Sequence, residues 1–387
     1  MEQTTALSGK PRRRKWAYAI SIAIVLAGAT FIILMRRGMN SDPPDSRSFE
    51  GDSAGLHQTQ IVPTLDTPLE TAKSAVWCAA FQWSWKKLQK DVAGAPVQLD
   101  GADSFCARLN AATDPGPDLP SGSSYAATGW VDKGILQTID RDFRAAFPAA
   151  TPPSFPGIAR NSYLAYAYLQ ASVSFTIPYF EETKPVLFTD ASGKTTGVRA
   201  FGVREQDDYA YKELRQQAKL LYVDEESQPP EFAVDLCRDS QPVQLVVACI
   251  TRGATLAATL DALEKQIATS PKEMRNGLGI NDVLLVPKIE WRIAHHFREI
   301  EGKRFANAGL SRQEMDVATQ EIRFKLDKSG MDLKAEAKHH MKPVAKHYIV
   351  NRPFLVYAMK RGAARPFFVM WVENTELLTG VGGGTSR

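Results

Sequence analysis

Residues 320–374 read QEIRFKLDKSGMDLKAEAKHHMKPVAKHYIVNRPFLVYAMKRGAARPFFVMWVEN, and this stretch decides the fold. Residues 320–327 predict a strand. Lys328, Ser329 and Gly330 then open a polar connection. Two apolar runs, 352–359 and 366–372, close the stretch. The basic, glycine-containing segment 360–365 joins them, which is the signature of a hairpin. Within the connection, Met331, Leu333, Ala335 and Ala337 alternate with Asp332, Lys334, Glu336 and Lys338. A period of two suits an extended segment with one apolar face. The same eight residues are good helix formers, so a helix competes with the strand over 331–338.

Upstream of this stretch the texture is that of strands with few helices. Strands are predicted over 163–169 and 173–177. A hairpin is predicted from 185–189 and 196–203 around the turn at 190–193. Further strands are predicted over 232–236, 243–250 and 283–292, with an Ala/Leu-rich helix over 254–268. The earlier part is helical. From Thr71 a stripe of Trp77, Phe81, Trp85 and Leu88, widened by Trp83 and Val92, predicts a core-facing helix. A second helix is predicted over 101–112. A third runs from an Asp132 cap to about Phe147, with Ile135, Leu136, Ile139 and Phe143 on one side. Residues 113–124 and 148–157 are Pro/Gly breaks. Helices first and many strands after predict an α+β fold with large antiparallel or mixed β-sheets. No internal repeat is apparent.

At the other end of the 387-residue chain, residues 16–35 (WAYAISIAIVLAGATFIILM) carry no charge. As a helix they span about 30 Å, the thickness of a bilayer core. Trp16 and Tyr18 mark one end, where amphipathic rings favour the headgroups, and Met35 the other. Lys10, Arg12, Arg13, Arg14 and Lys15, set against Glu2, account for the whole net charge of +4. By the positive-inside rule the N-terminus is expected in the cytoplasm and the bulk of the chain outside it, on a plasma (inner) membrane crossed once. A cleaved signal peptide is the alternative, with Ala27, Gly28 and Ala29 as its A-x-A site. The layout expected is a basic cytoplasmic segment (1–15), a transmembrane helix (16–35), a flexible linker (36–65), a folded domain (66–378) and a disordered tail (379–387). The folded part sums to about zero charge, which sets nucleic acid aside as a partner.

Chemistry is sparse. No G-x-S-x-G, H-E-x-x-H, Walker or G-x-G-x-x-G motif is present. Neither a cofactor nor a metal is expected. His295 and His296 are adjacent, so a strand would point them to opposite faces and they could not chelate together. His339, His340 and His347 fall in a solvated basic stretch. Cys78, Cys106, Cys237 and Cys249 are expected as buried free thiols. Their pairing, if any, is open, since four cysteines allow three connectivities. A turn near 239–242 would bring Cys237 to Gln244, not to Cys249.

The C-terminal stretch resembles the corresponding part of serpins: a strand, an acidic turn ending in Gly, a long exposed reactive loop, an N/D-[RK]-P-F-L strand and a final strand. The matching residues are Asp327 and Gly330, then Asn351, Arg352, Pro353, Phe354 and Leu355, then Phe367, Phe368, Val369, Met370, Val372 and Asn374. Upstream, Phe180 with Thr183, Phe188, Asp190 to Lys194 and Val198, Leu221 with Tyr222, and Pro287 with Lys288 follow in the family's order. The likeness covers about residues 160–378. Gln320 stands where many serpins have His, and Trp371 replaces a common Gly. The N-x-x-x-S-P-x-S segment has no counterpart, and the opening half is shorter than usual.

The resemblance implies a non-enzymatic, serpin-like domain. Its reactive-loop hinge would comprise Lys328, Ser329, Gly330, Met331, Leu333, Ala335 and Ala337. Lys338, Lys342 and Lys346 would be protease-sensitive, to trypsin-like enzymes above all. In inhibitory serpins the cleaved loop enters the main sheet as a new strand. The period-two pattern here permits that; the four interleaved charges oppose it. The expectation is therefore a membrane-tethered binding module, held on the lipid bilayer through residues 16–35 and facing a protease or another envelope protein. The alternatives are a trapping inhibitor whose loop is residues 330–351, and an envelope enzyme with a dispersed site.

Overall fold

The strand leading into the loop is longer than its sequence texture suggests: β16 spans Glu314–Leu326. It lies in a computed structural model that describes residues 49–381, apart from Ser121, Ser123, Ala149, Asn161, 173–174, 205–208, Asp239, Gln241, 272–276 and 329–345. Met315, Ala318, Gln320, Ile322, Phe324 and Leu326 of β16 are buried. Glu321, Arg323 and Lys325 alternate with them on the other face. β16 is the centre of a six-stranded sheet. Its order is β1 (Phe49–Asp52), β14 (Ile289–His296), β16, β5 (Tyr163–Ser172) and β4 (Ser124–Trp130), with β15 (Lys303–Arg304) beside β16.

β5 is apolar on both faces, and both are covered. Tyr163, Ala165 and Ala167 join the main core. Leu164, Tyr166 and Tyr168 are buried against α3 (Ile135–Ala146), whose Ile135, Ile139 and Phe143 recur every four residues on its buried face. Phe143 and Phe147 each meet the Tyr168 ring edge-on at 4.8 Å.

A seven-stranded sheet runs β10 (Lys219–Asp224), β11 (Glu231–Asp235), β12 (Val243–Cys249), β18 (Phe354–Lys360), β19 (Phe368–Val372), β3 (Ser74–Cys78) and β2 (Thr59–Ile61). β3 passes directly into α1 (Ala79–Leu88). A four-stranded sheet runs β17 (His347–Ile349), β13 (Val283–Pro287), β9 (Ala200–Val203) and β6 (Phe180–Glu181). β7 (Val186–Thr189) and β8 (Thr195–Val198) form the hairpin expected around 190–193. α2 (Asp103–Ala111), α4 (Tyr209–Gln217) and α5 (Leu256–Thr269) complete the α-helices among the described residues. The fold is thus α+β, with few helices and several large sheets.

Several expectations need correction. The helix placed from Thr71 begins at Ala79. Trp77 is a strand residue because Ser74–Cys78 pairs with β19, Trp77 opposite Val369, and a tertiary ladder overrides local propensity. Phe81, Trp85 and Leu88 remain buried core residues of α1. Asp132 does not cap α3; it sits in the turn Val131–Lys133, and the helix follows Gly134, whose φ of 87° needs a glycine. The strand read over 283–292 is two strands in two sheets, with the break at Lys288. There the chain bonds sideways, from the Lys288 N–H to Arg199 and from the Thr379 N–H to the Lys288 carbonyl. Phe175–Ile177 is not a strand; Phe175 packs edge-on against Tyr179 at 4.8 Å.

The boundaries of the folded domain also move outward from 66–378. The linker placed over 36–65 loses its second half, because Phe49–Asp52 and Thr59–Ile61 are sheet strands. Two residues of the tail placed over 379–387 belong to the fold: Thr379 is buried and Gly380 bridges to Val198; residues 382–387 lie outside the described residues. Residues 1–15 and 16–35, with Trp16 and Met35, lie outside the described residues. Among the described residues no helix is long and apolar enough to cross a membrane. All four cysteines are free and buried. Cys237 Sγ accepts the Leu245 N–H at 3.2 Å, one residue beyond the expected neighbour Gln244.

Candidate functional site

Residues 329–345 lie outside the described residues; the chain before them ends β16 in the main sheet, and the chain after them is β17 in another sheet. The surroundings of this stretch are built from four elements. The first is the pair β5–β16. These strands run parallel and pair directly from Tyr163 opposite Met315 to Ser172 opposite Lys325, with one irregularity between Met315 and Val317. On either side, β14–β16 and β4–β5 are antiparallel. A segment that followed β16 and turned back between β16 and β5 would run antiparallel to both. It would replace one parallel ladder, the slightly weaker kind, by two antiparallel ones. Eight extended residues, 331–338, reach about 27 Å, enough to follow most of β16.

Beneath this seam lies a neutral polar contact. Gln320 Nε2 donates to Cys78 Sγ at 2.8 Å, both side chains being buried. Burial pushes the Cys78 thiol up to about 12, while the backbone N–H groups of Ala80 and Phe81 at the start of α1 pull the other way. The sulfur is therefore a protonated thiol at neutral pH. Above the seam sit Tyr166 and Glu321. Arg292 of β14 links Glu321 (Nε to Oε1, 2.6 Å) to Glu50 of β1 (3.2 Å).

The second element is the charged exit. Lys325 meets Asp327 at 2.9 Å and Glu290 at 3.6 Å. Lys328, the first predicted hinge residue, meets Glu181 of β6 at 3.0 Å, and the same carboxylate meets Lys288 at 3.4 Å. Desolvation works to raise the Glu181 carboxyl. The hydrogen bond and charge of Lys328, with the charge of Lys288, outweigh it and hold Glu181 below the usual carboxylate range. The Lys288 side chain is only 5% exposed, and this carboxylate is one of the partners that offset the burial of its charge.

The third element is the return. Lys346 Nζ meets Glu225 at 2.5 Å, and its N–H donates to Asp282 Oδ1 at 3.1 Å. The Val283 N–H donates back to the Lys346 carbonyl at 2.9 Å. β17 then pairs parallel with β13, His347 opposite Val283. The fourth element is the anchor that follows. The Asn351 carbonyl accepts the Thr189 N–H at 2.8 Å, Arg352 donates to the Pro230 and Cys249 carbonyls, and Phe354 meets Phe188 edge-on. Trp371 donates its Nε1–H to the Glu373 carboxylate. The residues that carried the sequence resemblance here are thus structural ones that fix the far end of the loop.

Of the predicted loop residues, Lys328 and Lys346 are placed, one at each base. Ser329, Gly330, Met331, Leu333, Ala335, Ala337, Lys338 and Lys342 lie outside the described residues. Among the described residues no group of three or more His, Cys, Asp or Glu side chains could hold a metal ion. His295 and His296 part as a strand requires: His295 Nδ1 bonds Ser53 Oγ at 2.7 Å and His296 Nδ1 bonds Glu301 at 2.8 Å. Two contacts had no sequence signal of their own. Gln320 with Cys78, and Glu181 with Lys288 and Lys328, join residues far apart in the chain. Only Pro287 and Lys288, singled out as a pair, pointed toward the second.

No protein-family model matches the sequence, and no curated protein matches it. Among solved structures the chain is similar to the mouse protein-Z dependent protease inhibitor, at 10% identity and TM-score 0.49, over 78% of this chain and 91% of that one. It is similar to Serpin48 of the insect Tenebrio molitor, at 10% identity and TM-score 0.45, over 78% and 92%. It is similar also to the thermophilic serpin tengpin in its native state, at 9% identity and TM-score 0.45, over 79% and 90%.

Proposed function

We propose that the chain is a membrane-tethered module that presents residues 329–345 to a protein partner, a protease foremost, without drawing that loop into its main sheet and without catalysis of its own. The closed seam carries this reading. β5 and β16 remain paired as far as Ser172 and Lys325, beside the loop's point of exit. Lys328 is drawn away from the seam, to Glu181 of another sheet. Insertion would also place Asp332, Lys334, Glu336 and Lys338 on one face of the new strand. One face of the seam is the core and the other is partly roofed by α3 and residues 153–158, so charges there would lose solvation. Residues 16–35 supply the tether in this reading, with the folded domain outside the cytoplasm and another envelope protein as the other partner it could serve.

A second reading, a trapping inhibitor, is favoured by one observation: the parallel β5–β16 pair is adjacent to the loop that could fill it. One experiment separates the two. The full-length chain is cut by limited trypsin between Lys338 and Lys346, and its thermal stability is measured before and after. Unchanged or lower stability, with no SDS-stable complex with a trypsin-like protease, supports the presenting module. A large rise in melting temperature, or such a complex, overturns it in favour of the inhibitor. The tether is tested by extracting membranes with alkaline carbonate. Release of the intact chain into the soluble fraction would remove residues 16–35 as an anchor.

A further inference from the structure

Among the described residues, three large hydrophobic side chains stand exposed: Leu187, Ile280 and Val381. One such residue means little, but two of these share a face. In the β7–β8 hairpin Val186, Phe188 and Val198 turn inward, whereas Leu187, paired with Gly197, turns outward at 64% exposure. A Cβ on Gly197 would lie 3.2 Å from Pro185 Cβ and 3.4 Å from Val381 Cγ2. Both side chains therefore lie over the glycine, and with Leu187 they make an apolar patch on the hairpin's outer face. Lys184 precedes β7 and Lys194 precedes β8, so exposed lysines mark both ends of the hairpin. The carboxylates nearby are engaged within the domain, Glu182 by Arg204 at 2.9 Å and Asp190 by the Ser192 and Lys194 N–H groups.

A second observation is where the chain enters the domain. β16 takes one edge of β14, with Ile289 opposite Leu326 and Trp291 opposite Phe324. On the remaining edge lie Leu378, bridged to Ile289, and Phe49, opposite Trp291. Two residues of strand separate these positions, about 7 Å. From Leu378 the chain passes the Gly380–Val198 bridge and reaches Val381. The first strand of the domain thus begins beside the segment that completes the patch.

We propose that this face docks on the surface of an anionic bilayer, with Pro185, Leu187 and Val381 entering the headgroup region and Lys184 and Lys194 meeting lipid phosphates. The proposal rests on the tether proposed above, and the contact gives the tethered domain one orientation. Alone, so few side chains bind a membrane weakly. A leash of residues 36–48 has an r.m.s. reach of about 20 Å. It keeps the face at an effective concentration that populates a weak contact. A second copy of the chain suits the face less well, because a two-fold pairing would bring the same lysines to it.

The test uses the full-length chain in vesicles of phosphatidylcholine and phosphatidylglycerol. Thr195→Cys, exposed on the same outward face as Leu187, takes a fluorescent label for which the buried native thiols do not compete. Ile280→Cys is the control, 53% exposed and placed before β13, whose other end leads to Lys288. Spin-labelled lipid should quench the label at 195 about threefold more than the label at 280. Adding Leu187→Asp, a change at an exposed position, should bring the two labels level, and so should vesicles of phosphatidylcholine alone. Flotation with the vesicles reads the tether separately. A chain that floats with equal quenching at both positions overturns the docking and leaves the tether standing. A chain that does not float removes the tether, and the docking with it. Quenching at 195 that neither Leu187→Asp nor neutral vesicles reduce overturns the assignment of the face. A label at 195 that responds to protein density and not to the spin label gives the face to a second copy and overturns the docking likewise.

Discussion

Gln320 and Cys78, 242 positions apart in the chain, meet under the middle of the main sheet, the amide of one donating to the thiol of the other at 2.8 Å. Neither group carries charge at neutral pH. The contact ties β16 to the start of α1, so it couples the sheet's central strand to the core helix beneath it. Gln320→Ala removes the donor and leaves a void, and should cost about 2 kcal/mol or more. Cys78→Ala should cost about 1–2 kcal/mol. The double variant should lose less than the two together, because both remove one contact. Urea unfolding of the three variants measures this; strict additivity would show that the pair is not coupled.

The thiols should be chemically silent. Burial raises Cys78 and Cys249 to about 12 and Cys237 to about 11, and raises Cys106 in the same direction. The thiolate is the reactive species. A thiol reagent at pH 8 should therefore find no rapidly reacting group in the native chain and four after denaturation. A fast stoichiometric reaction in the native state would contradict the burial described.

Acid should destabilise the fold earlier than its carboxylates alone would require. Burial lowers His295 from 6.5 to about 4, although Asp52 pulls the other way. The unfolded chain therefore binds a proton between those values that the folded chain refuses. Stability from this group is complete above about pH 6.5 and is lost as pH falls towards 4. The loss is on the order of 2–3 kcal/mol. His295→Gln should flatten the profile between pH 6.5 and 4 relative to the natural chain. Parallel melting-temperature curves for the two proteins over that window would refute the assignment.

At the loop exit, the two lysines that share Glu181 should respond unequally. Lys328→Ala removes the more exposed partner and should cost less than about 1 kcal/mol. Glu181→Gln removes the carboxylate that both Lys288 and Lys328 meet and should cost more than Lys328→Ala, on the order of 1–3 kcal/mol. Glu181 is held below its ordinary range, so its contribution is present above that range and fades as pH falls through its folded value. Melting temperatures of both variants at pH 7 decide this; equal effects would mean that Lys288 finds its compensation elsewhere.

Much of the fold was legible because its signals are local. Residues 352–359 and 366–372 are apolar runs on either side of a basic turn, and they contain β18 and β19. The Ala/Leu-rich helix over 254–268 is α5. Pairing that depends on distant partners left no such trace. β1 and β2 are three or four residues long, β1 mostly exposed, and both read as linker. They exist because β14 and β3 offer them edges. Val76 and Trp77 read as the start of a helix because a strand entering a helix without a turn leaves no break in the apolar stripe. At the site, Lys328 and Lys346 could be named from the order of motifs. Gln320 could not be paired with Cys78, nor Glu181 with Lys288 and Lys328, since each contact joins residues far apart in the chain.

The strand β1 has a mechanical consequence. Only thirteen residues, 36–48, separate the apolar stretch 16–35 from Phe49. Fully extended they measure about 45 Å, a short leash. If residues 16–35 are anchored, any pull on the folded domain is delivered first to β1, at the rim of the sheet that also carries β16. β1 holds there by a four-residue ladder to β14, the Arg292–Glu50 ion pair and the bond between Ser53 and His295. Tension would peel this rim before it reached the centre, so the leash would yield at its attachment while the loop-bearing strands stayed unloaded.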